Sequence, residues 1–539
     1  MSKKRKKKFK KVLLLLIPLL IAYYVISGYF IEEIYYYNAP SSIMQYVVYG
    51  AIALSAIFIV IFTIWALTCI LKNKTTSYIA FFIFLILIGG GQYFVTYNAN
   101  KVSSSIEKVT NNYTTYSSSL IVLNNSNIKK ASDISGKVGI ISDTESMEGY
   151  VIANKLANKE KINSSSIVKY DEYDDMIRDL YNKNIEAVLI SSSYADMLSS
   201  NEEFENITSE VREIAKKSVV QKRKKSSSKK TLTEPFTVLV MGVDSTTNSL
   251  KNSNSFNGDT LMLITFNPKT MNATILSIPR DTRVPIACNR NRLNKINSSA
   301  MYGTDCVINT ISKLTDIQID YWVKVNFQGV VSLVDAVGGV EIDVPYAFCE
   351  QDSKRRWGKN TIYVEKGKQT LNGEQALAFA RNRHTWPQCG KKYSKYVSND
   401  FIRGEHQQLI VNAVANKLKN INSLSQVYKL LDVVGENIDT NISKDTIITG
   451  FDTFKDIITK SKNINSDDFI GTQRLYLSGK DKMIDGIYYF EYYEQSLDEI
   501  TNAMKINLGT KKPKMDKDFS FSINNPFESK QIGKGTYKY

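Results

Sequence analysis

The stretch Ser277-Ile-Pro-Arg-Asp-Thr-Arg283 sets an arginine and a carboxylate directly after an apolar run, Ala273-Thr-Ile-Leu-Ser-Ile278, that reads as a buried strand. Pro279 has no N–H for a ladder, so it ends the strand and leaves Arg280 and Asp281 on the rim of a sheet. Open α/β folds bind ligands at such rims. A guanidinium fork there grips phosphate oxygens, and a carboxylate orients the fork or a metal. The plainer reading is an ion pair capping a strand, and only companion residues decide between the two. Asp244 closes the apolar run that starts at Phe236, and Asp259 opens another. Both suit Mg²⁺, which takes a few carboxylate oxygens together with water and phosphate oxygens. Leu371-Asn-Gly-Glu-Gln-Ala-Leu-Ala-Phe-Ala380 reads as a helix that runs into Arg381-Asn-Arg383. In an extended exit, residues two apart project to one side, so Arg381 and Arg383 would form a paired clamp. Asp400-Phe-Ile-Arg403 and Gln407-Gln408 then open a further helix, whose free N–H groups favour an anion.

Several elements must carry these residues. The chain has 539 residues, enough for two or three domains, a formal charge of +16 and only two histidines. Acid–base work therefore falls to carboxylates, and the basic surplus points to an anionic partner. No zinc spacing and no nucleic-acid-binding signature is present, so no nucleic-acid partner is expected. Residues 1–98 combine a basic tail, Lys3 to Lys11, with apolar runs at Val12–Phe30, Tyr46–Leu71 and Tyr78–Tyr97, each long enough to span a bilayer. The basic tail and the loop Lys72-Asn-Lys74 orient these spans with the N-terminus in the cytoplasm, which places everything after about Asn98 outside the cell. Gly89-Gly-Gly91 within the third span reads as a tolerated irregularity rather than a packing device. Four of the five cysteines, Cys288, Cys306, Cys349 and Cys389, fall in the part placed outside. Three connectivities are open, and Cys288–Cys306 with Cys349–Cys389 is preferred because each pair ties down a loop.

Residues 99–220 alternate short apolar runs (Leu120–Leu123, Val138–Ile141, Ile167–Tyr170, Ala187–Ile190) with helical patterns at Ser146–Lys159 and Tyr173–Asn182. That alternation predicts a small α/β accessory domain. Asp133-Ile-Ser-Gly-Lys-Val-Gly139 resembles the strand entry of a periplasmic binding-protein lobe, though a spacer or protein-contact module is the favoured role. A basic linker, 221–235, leads to the main domain at 236–509, and 510–539 reads as a flexible tail.

The ordered set Gly-Val-Asp244, Asp259-Thr, Ser-Ile-Pro-Arg280-Asp-Thr, Lys295-Ile-Asn, Leu-Asn-Gly-Glu-Gln-Ala-Leu, Arg381-x-Arg383-His, Asp400-x-x-Arg403 and Gln407-Gln resembles the LytR-CpsA-Psr family from about Phe236 to Gly509. Three spans followed by an accessory domain resemble its CpsA-type capsule and wall glycopolymer ligases. The resemblance implies an α/β/α sandwich with an apolar groove for a polyprenyl tail. It implies a Mg²⁺-dependent phosphotransferase on the outer face of a Gram-positive cell membrane. Such an enzyme moves a glycopolymer from an undecaprenyl pyrophosphate carrier to peptidoglycan. Carried over by motif, Asp244 and Asp259 would hold Mg²⁺, and Arg280, Arg381, Arg383 and Gln407 would grip the pyrophosphate. Asp400 would assist the attacking hydroxyl, and Arg403 would support that corner.

The chain departs from the family pattern in three places. Asn257 stands where an arginine is usual, His406 stands where another precedes Gln-Gln, and a longer loop runs from His384 to Asn399. A lysine of that loop, Lys391 or Lys392, is a candidate to replace a lost arginine. The rival functions are a polyprenyl-pyrophosphate hydrolase and a non-catalytic membrane receptor or regulator that binds polyprenyl phosphates.

Overall fold

In the computed structural model the described residues are 3–35, 42–72, 75–109, 113–198, 202–204, 206–222, 232–243, 250, 255–394, 400–418, 424–435, 437–443, 446–447, 450, 471–484 and 486–512. The chain divides into two units, Met1–Glu107 with Lys444–Asp452, and Lys108–Ser443 with Thr453–Tyr539.

The first unit carries three helices, α1 (Lys3–Tyr35), α2 (Ser42–Lys72) and α3 (Thr75–Val109). Each holds a stretch long and apolar enough to cross a membrane: Ile17–Ile34, Val48–Thr68 and Ile79–Tyr97. The helices anchor the chain in a membrane, and α3 continues well past the Asn98 boundary expected above. Rings of Tyr23, Phe62 and Phe81 interlock edge to face in the centre of the unit. Gln92 is buried there, accepting from Ser27 Oγ at 2.7 Å and donating to Ser55 Oγ at 3.1 Å, so one amide ties all three helices. Gly89 lies against the Tyr23 ring, where an added Cβ would meet Cδ2 at 3.3 Å, whereas Gly90 and Gly91 face open space. The first of the three glycines is thus a packing position after all.

The second unit begins with a five-stranded sheet in the order β3-β2-β4-β1-β5, built from β1 (Tyr113–Leu123), β2 (Val138–Ile141), β3 (Ile167–Tyr170), β4 (Ala187–Ser191) and β5 (Val211–Lys222). The four expected strands and both helices, α4 (Ile152–Lys159, entered through a π turn at Met147–Val151) and α5 (Tyr173–Tyr181), are present. The addition is β5, which pairs antiparallel with β1 along its length and occupies what reads in sequence as the approach to a polar linker.

The main domain is an α/β/α sandwich. Its six-stranded sheet contains β6 (Phe236–Val243), β7 (Gly258–Asn267), β8 (Asn272–Ile278), β9 (Tyr321–Asn326), β10 (Ile438–Thr440) and β11 (Gly471–Tyr476), in the order β10-β9-β6-β7-β8-β11. Because β9 runs parallel to β6 and β11 parallel to β8, with β7 antiparallel to both neighbours, four strands end at the rim where β7 starts. Alternation along β6 sorts the two faces. Leu239, Met241 and Val243 enter a core with α6 (Thr304–Thr315) and α11 (Glu494–Asn507). The other face is covered by α7 (Phe327–Ala336), α8 (Gly373–Arg381) and α9 (Asp400–Leu418), with α10 (Leu424–Val434) following.

Helix α8 is set by a capping box: Asn372 accepts from Gln375 N, and Gln375 Oε1 accepts from Asn372 N. Its first residue, Gly373, lies on the backbone of α7, where any Cβ would collide with the Val331 carbonyl.

Disulfides join Cys288 to Cys306 and Cys349 to Cys389, with Cα atoms 5.6 and 6.3 Å apart. The second closes a span of 40 residues around the loop that holds Trp386, a closure whose entropy is about 4 kcal/mol. Cys389→Ser is expected to lower the denaturant midpoint of the purified protein, and an unchanged midpoint under non-reducing conditions would show that the loop is held by its other contacts.

Candidate active site

The rim assembles the site through register. Leu261 of β7 pairs with Ile278 of β8; continuing that antiparallel register two residues outward sets Asp259 against Arg280. Arg280 Nη1 donates to Asp259 Oδ1 at 2.9 Å. Helix α9 supplies the third wall, because Asp400, Arg403 and Gln407 fall on one stripe at helical spacing. Asp400 lies 3.4 Å from Arg280 Nε, 3.3 Å from Arg403 Nη2 and 3.9 Å from Arg383 Nη1. Gln407 Nε2 donates to Thr260 Oγ1 at 2.9 Å and to the Ala380 carbonyl at 3.2 Å. Its neighbour Gln408 points into the sheet instead, donating to the carbonyls of Ile275 and Leu475 and so fixing α9 over β8 and β11.

Electrostatics are dense at this corner. Burial opposes the charge of Asp259, but Arg280, Arg403 and Arg383 outweigh it and hold the carboxyl down at about 2. Burial likewise works against the Arg280 charge, and Asp259, Asp400 and Asp281 reverse it, so its pKa is raised. Arg383 goes the other way: burial, then the nearby Arg280 and Arg403, lower its pKa. An anion entering between these guanidiniums would relieve that repulsion. Asp281 faces back from the site, bonded to Lys295 Nζ at 2.7 Å and 3.6 Å from Arg280 Nε.

Beside the corner lies an open hollow of about 460 Å³ between the sheet and the three covering helices. Val240 and Met262 form its floor, with Val330, Leu377, Ile410 and Val411 around them. Its polar end is lined by Asp259, Arg381, Arg383, Arg403 and Gln407. One hollow thus offers apolar walls at one end and cations at the other.

The placement corrects two expectations and leaves one outside the described residues. Arg381 is the last residue of α8 rather than part of an extended strand, so it does not form a parallel clamp with Arg383. Its guanidinium lies over the Phe327 ring at 4.3 Å and donates to the Asp352 carbonyl at 3.3 Å, while still lining the hollow. Lys392 of the long loop does not replace a site arginine, because it is paired with Glu365 at 2.6 Å on an exposed surface. Asp244 lies outside the described residues. Arg355, which no motif flags, lines the polar end of the hollow. It has a left-handed φ of 57° in a turn whose Asp352 carboxylate accepts from Lys354 N and Arg356 N. The cluster Lys354-Arg-Arg356 was its only trace in the sequence.

Of the departures, Asn257 is buried just before β7. His406 belongs to the core behind the site: its ring stacks on Phe379 at 3.9 Å and its Nδ1 is 3.1 Å from the Phe379 carbonyl. Burial pushes its pKa down to about 4. The folded state therefore refuses a proton that the unfolded chain accepts at an ordinary histidine pKa of ~6.5. Stability is expected to be intact above that value and to fall by up to about 3 kcal/mol as pH drops toward 4. Urea titrations at pH 7.5 and pH 5 check this, and His406→Gln should flatten the difference.

A divalent cation at this rim would depend on the same carboxylates. Among the described residues no three metal-ligating side chains cluster. Asp259 remains a fitting ligand, because it is held ionised at the rim and its carboxylate faces the arginine cluster. A single carboxylate suits Mg²⁺ when substrate phosphate and water complete the shell.

Fold and site define a class: an α/β/α protein whose sheet rim offers an apolar hollow ending in guanidinium and carboxylate groups. The chain belongs to the LytR_cpsA_psr family, whose model matches residues 200–506, more than half of its 539 residues. Residues 85–233 match a second model, described as an ABC transporter, phosphonate, periplasmic substrate-binding protein. The chain is 32% identical over 276 residues to the polyisoprenyl-teichoic acid–peptidoglycan teichoic acid transferase TagU of Bacillus subtilis, covering 51% of this chain and 78% of that protein. It is 31% identical over 292 residues to biofilm regulatory protein A of Streptococcus mutans, covering 52% and 65%. The crystal structure of B. subtilis TagV aligns with a TM-score of 0.41 at 28% identity, covering 51% of this chain and 98% of that one.

Proposed function

We propose that this protein is a Mg²⁺-dependent phosphotransferase that moves a glycopolymer from an undecaprenyl pyrophosphate carrier to peptidoglycan. The reading is supported above all by the junction of the apolar hollow with Asp259, Arg280, Arg383, Asp400 and Arg403. It agrees with the activity for which the TagU relative is named. The three apolar stretches and the basic residues before them support a catalytic domain on the extracellular face of a Gram-positive cell membrane.

The polyprenyl chain lies along Val240, Met262, Val330 and Leu377, where apolar burial holds it without specifying its length. Arg280, Arg383 and Arg403 grip the non-bridging oxygens of the pyrophosphate, with Arg381, Arg355 and Gln407 at its edge. Guanidinium forks suit this task because charge in phosphoryl transfer is spread over those oxygens. The acceptor hydroxyl oxygen attacks the phosphorus that carries the glycopolymer, and the bond from that phosphorus to the bridging oxygen breaks. Polyprenyl monophosphate leaves, and Asp400 takes the hydroxyl proton. Mg²⁺, held by Asp259 and Asp244, would neutralise charge on the diphosphate. With the arginines drawn to the substrate, Asp400 is released from their contacts at the moment its carboxylate is needed.

The test uses the purified protein with lipid-linked oligosaccharide, Mg²⁺ and peptidoglycan. Glycan covalently linked to the wall polymer is the expected product. Phosphate release without linkage would replace transfer by hydrolysis, and tight lipid binding without turnover would replace it by a receptor.

A further inference from the structure

The accessory domain has the form of a small anion-binding lobe, and residues 85–233 match a phosphonate-binding family. In such a sheet the ligand belongs at the carboxyl ends of the parallel strands, here β2, β3 and β4. That position already holds an anion of the chain's own. The buried Glu148 carboxylate accepts from Ser117 N at 2.8 Å and from Ser191 Oγ at 2.7 Å. A further partner comes from the main domain: Ser255 N donates to Glu148 Oε2 at 3.0 Å, and Ser255 is itself buried. Two residues on, Asn257 leads into β7 and Asp259.

The neighbouring strand end is filled in the same way. After β3, Asp171 accepts from Arg292 at 2.5 Å, and Glu172 accepts from Asn289 at 3.2 Å and Asn294 at 3.3 Å. The Tyr302 ring packs on Tyr173 at 5.7 Å. Asn294 adjoins Lys295, whose ammonium holds Asp281 next to Arg280. Both segments seated in the crevice therefore lead directly to the catalytic rim.

We infer that the accessory domain's strand-end crevice is a docking socket for the catalytic domain's own loops, with Glu148 as a positioning residue for the segment that carries Asp259. The internal carboxylate satisfies the donors that a soluble phosphonate would use, so the lobe takes a protein partner of the same chain in place of a small anion. The role in catalysis rests on the transfer reading above, but the docking stands apart from it.

Hydrogen–deuterium exchange on the full-length protein in detergent tests the docking directly. In Glu148→Ala, amides of residues 255–258 should exchange at least tenfold faster, with those of the β7 centre, 261–264, unchanged. Asn294→Ala, which removes the bond to Glu172 and the one its Oδ1 accepts from Lys295 N, should loosen residues 290–296 in the same manner should the first variant misfold. In the transfer assay Glu148→Ala should lower kcat about tenfold at unchanged KM for the lipid donor, with partial rescue by Glu148→Gln. Unaltered exchange in folded variants overturns the inference. So does saturable binding of methylphosphonate to the wild-type protein that Ser191→Ala abolishes. A wild-type protein without transfer activity whose Glu148→Ala variant still exchanges faster would support docking and sink the transferase reading instead.

Discussion

Arg280→Ala should abolish transfer, with a loss on the order of 10³-fold, because the fork it removes meets both the carboxylate at the start of β7 and the one at the start of α9. The same change removes the cation between Asp259, Asp281 and Asp400. Breaking a partly buried cluster on one side costs about 3–5 kcal/mol, so thermal unfolding should move down together with activity. Arg280→Lys separates the two effects. A point charge preserves most of the carboxylate pairing but cannot span two oxygens in a plane. Its melting temperature should approach that of the wild type while its turnover stays at least tenfold low. Acid adds a further signature. The carboxyl of Asp259 is held below its ordinary range, so its contribution is complete above about pH 4 and is lost as pH falls toward 2. Arg280→Ala should lose part of that acid sensitivity. A folded Arg280→Ala variant with near-normal transfer would remove this arginine from the chemistry.

Val240→Asp should have the second largest effect, and through binding alone. Val240 lies on the open face of β6 at the floor of the hollow, away from the arginine corner. A carboxylate there can stay hydrated in the empty protein but must be desolvated when a hydrocarbon tail covers it, a cost of ~3 kcal/mol or more. That corresponds to a rise of about 100-fold in donor KM. Lipid should no longer co-purify, which mass spectrometry reads directly, while short-chain donor analogues should lose little. Equal loss with long and short donors would show that the tail lies elsewhere.

Much of the site could be read in the chain because its parts stand at element ends. Pro279 marks the end of β8 and so puts Arg280 on the rim, and the spacing of Asp400, Arg403 and Gln407 puts one stripe on one helix face. What failed was anything set by the last residue of an element or by distant pairing. Arg381 was assigned to an extended exit, yet the helix retains it and Phe327 provides a ring beneath it. Arg355 depends on a left-handed turn organised by Asp352, for which no glycine served as a flag. The strand β5, with its three lysines and its end inside the basic linker, is not legible as a strand until β1 is brought beside it from far upstream. His406 shows the converse limit: its position along α9 is one residue before a site glutamine, but the helix turns it into the core.

Gly373 has a bearing on how this protein can vary. It contacts no substrate in the proposed reaction, yet the seating of α8 on α7 leaves no volume for even a methyl group. Any replacement tilts the helix whose final residue is Arg381. In a random mutant library this position should therefore tolerate as few alternatives as the charged residues do, and its variants should be rescued by second changes that thin α7 rather than by changes in charge.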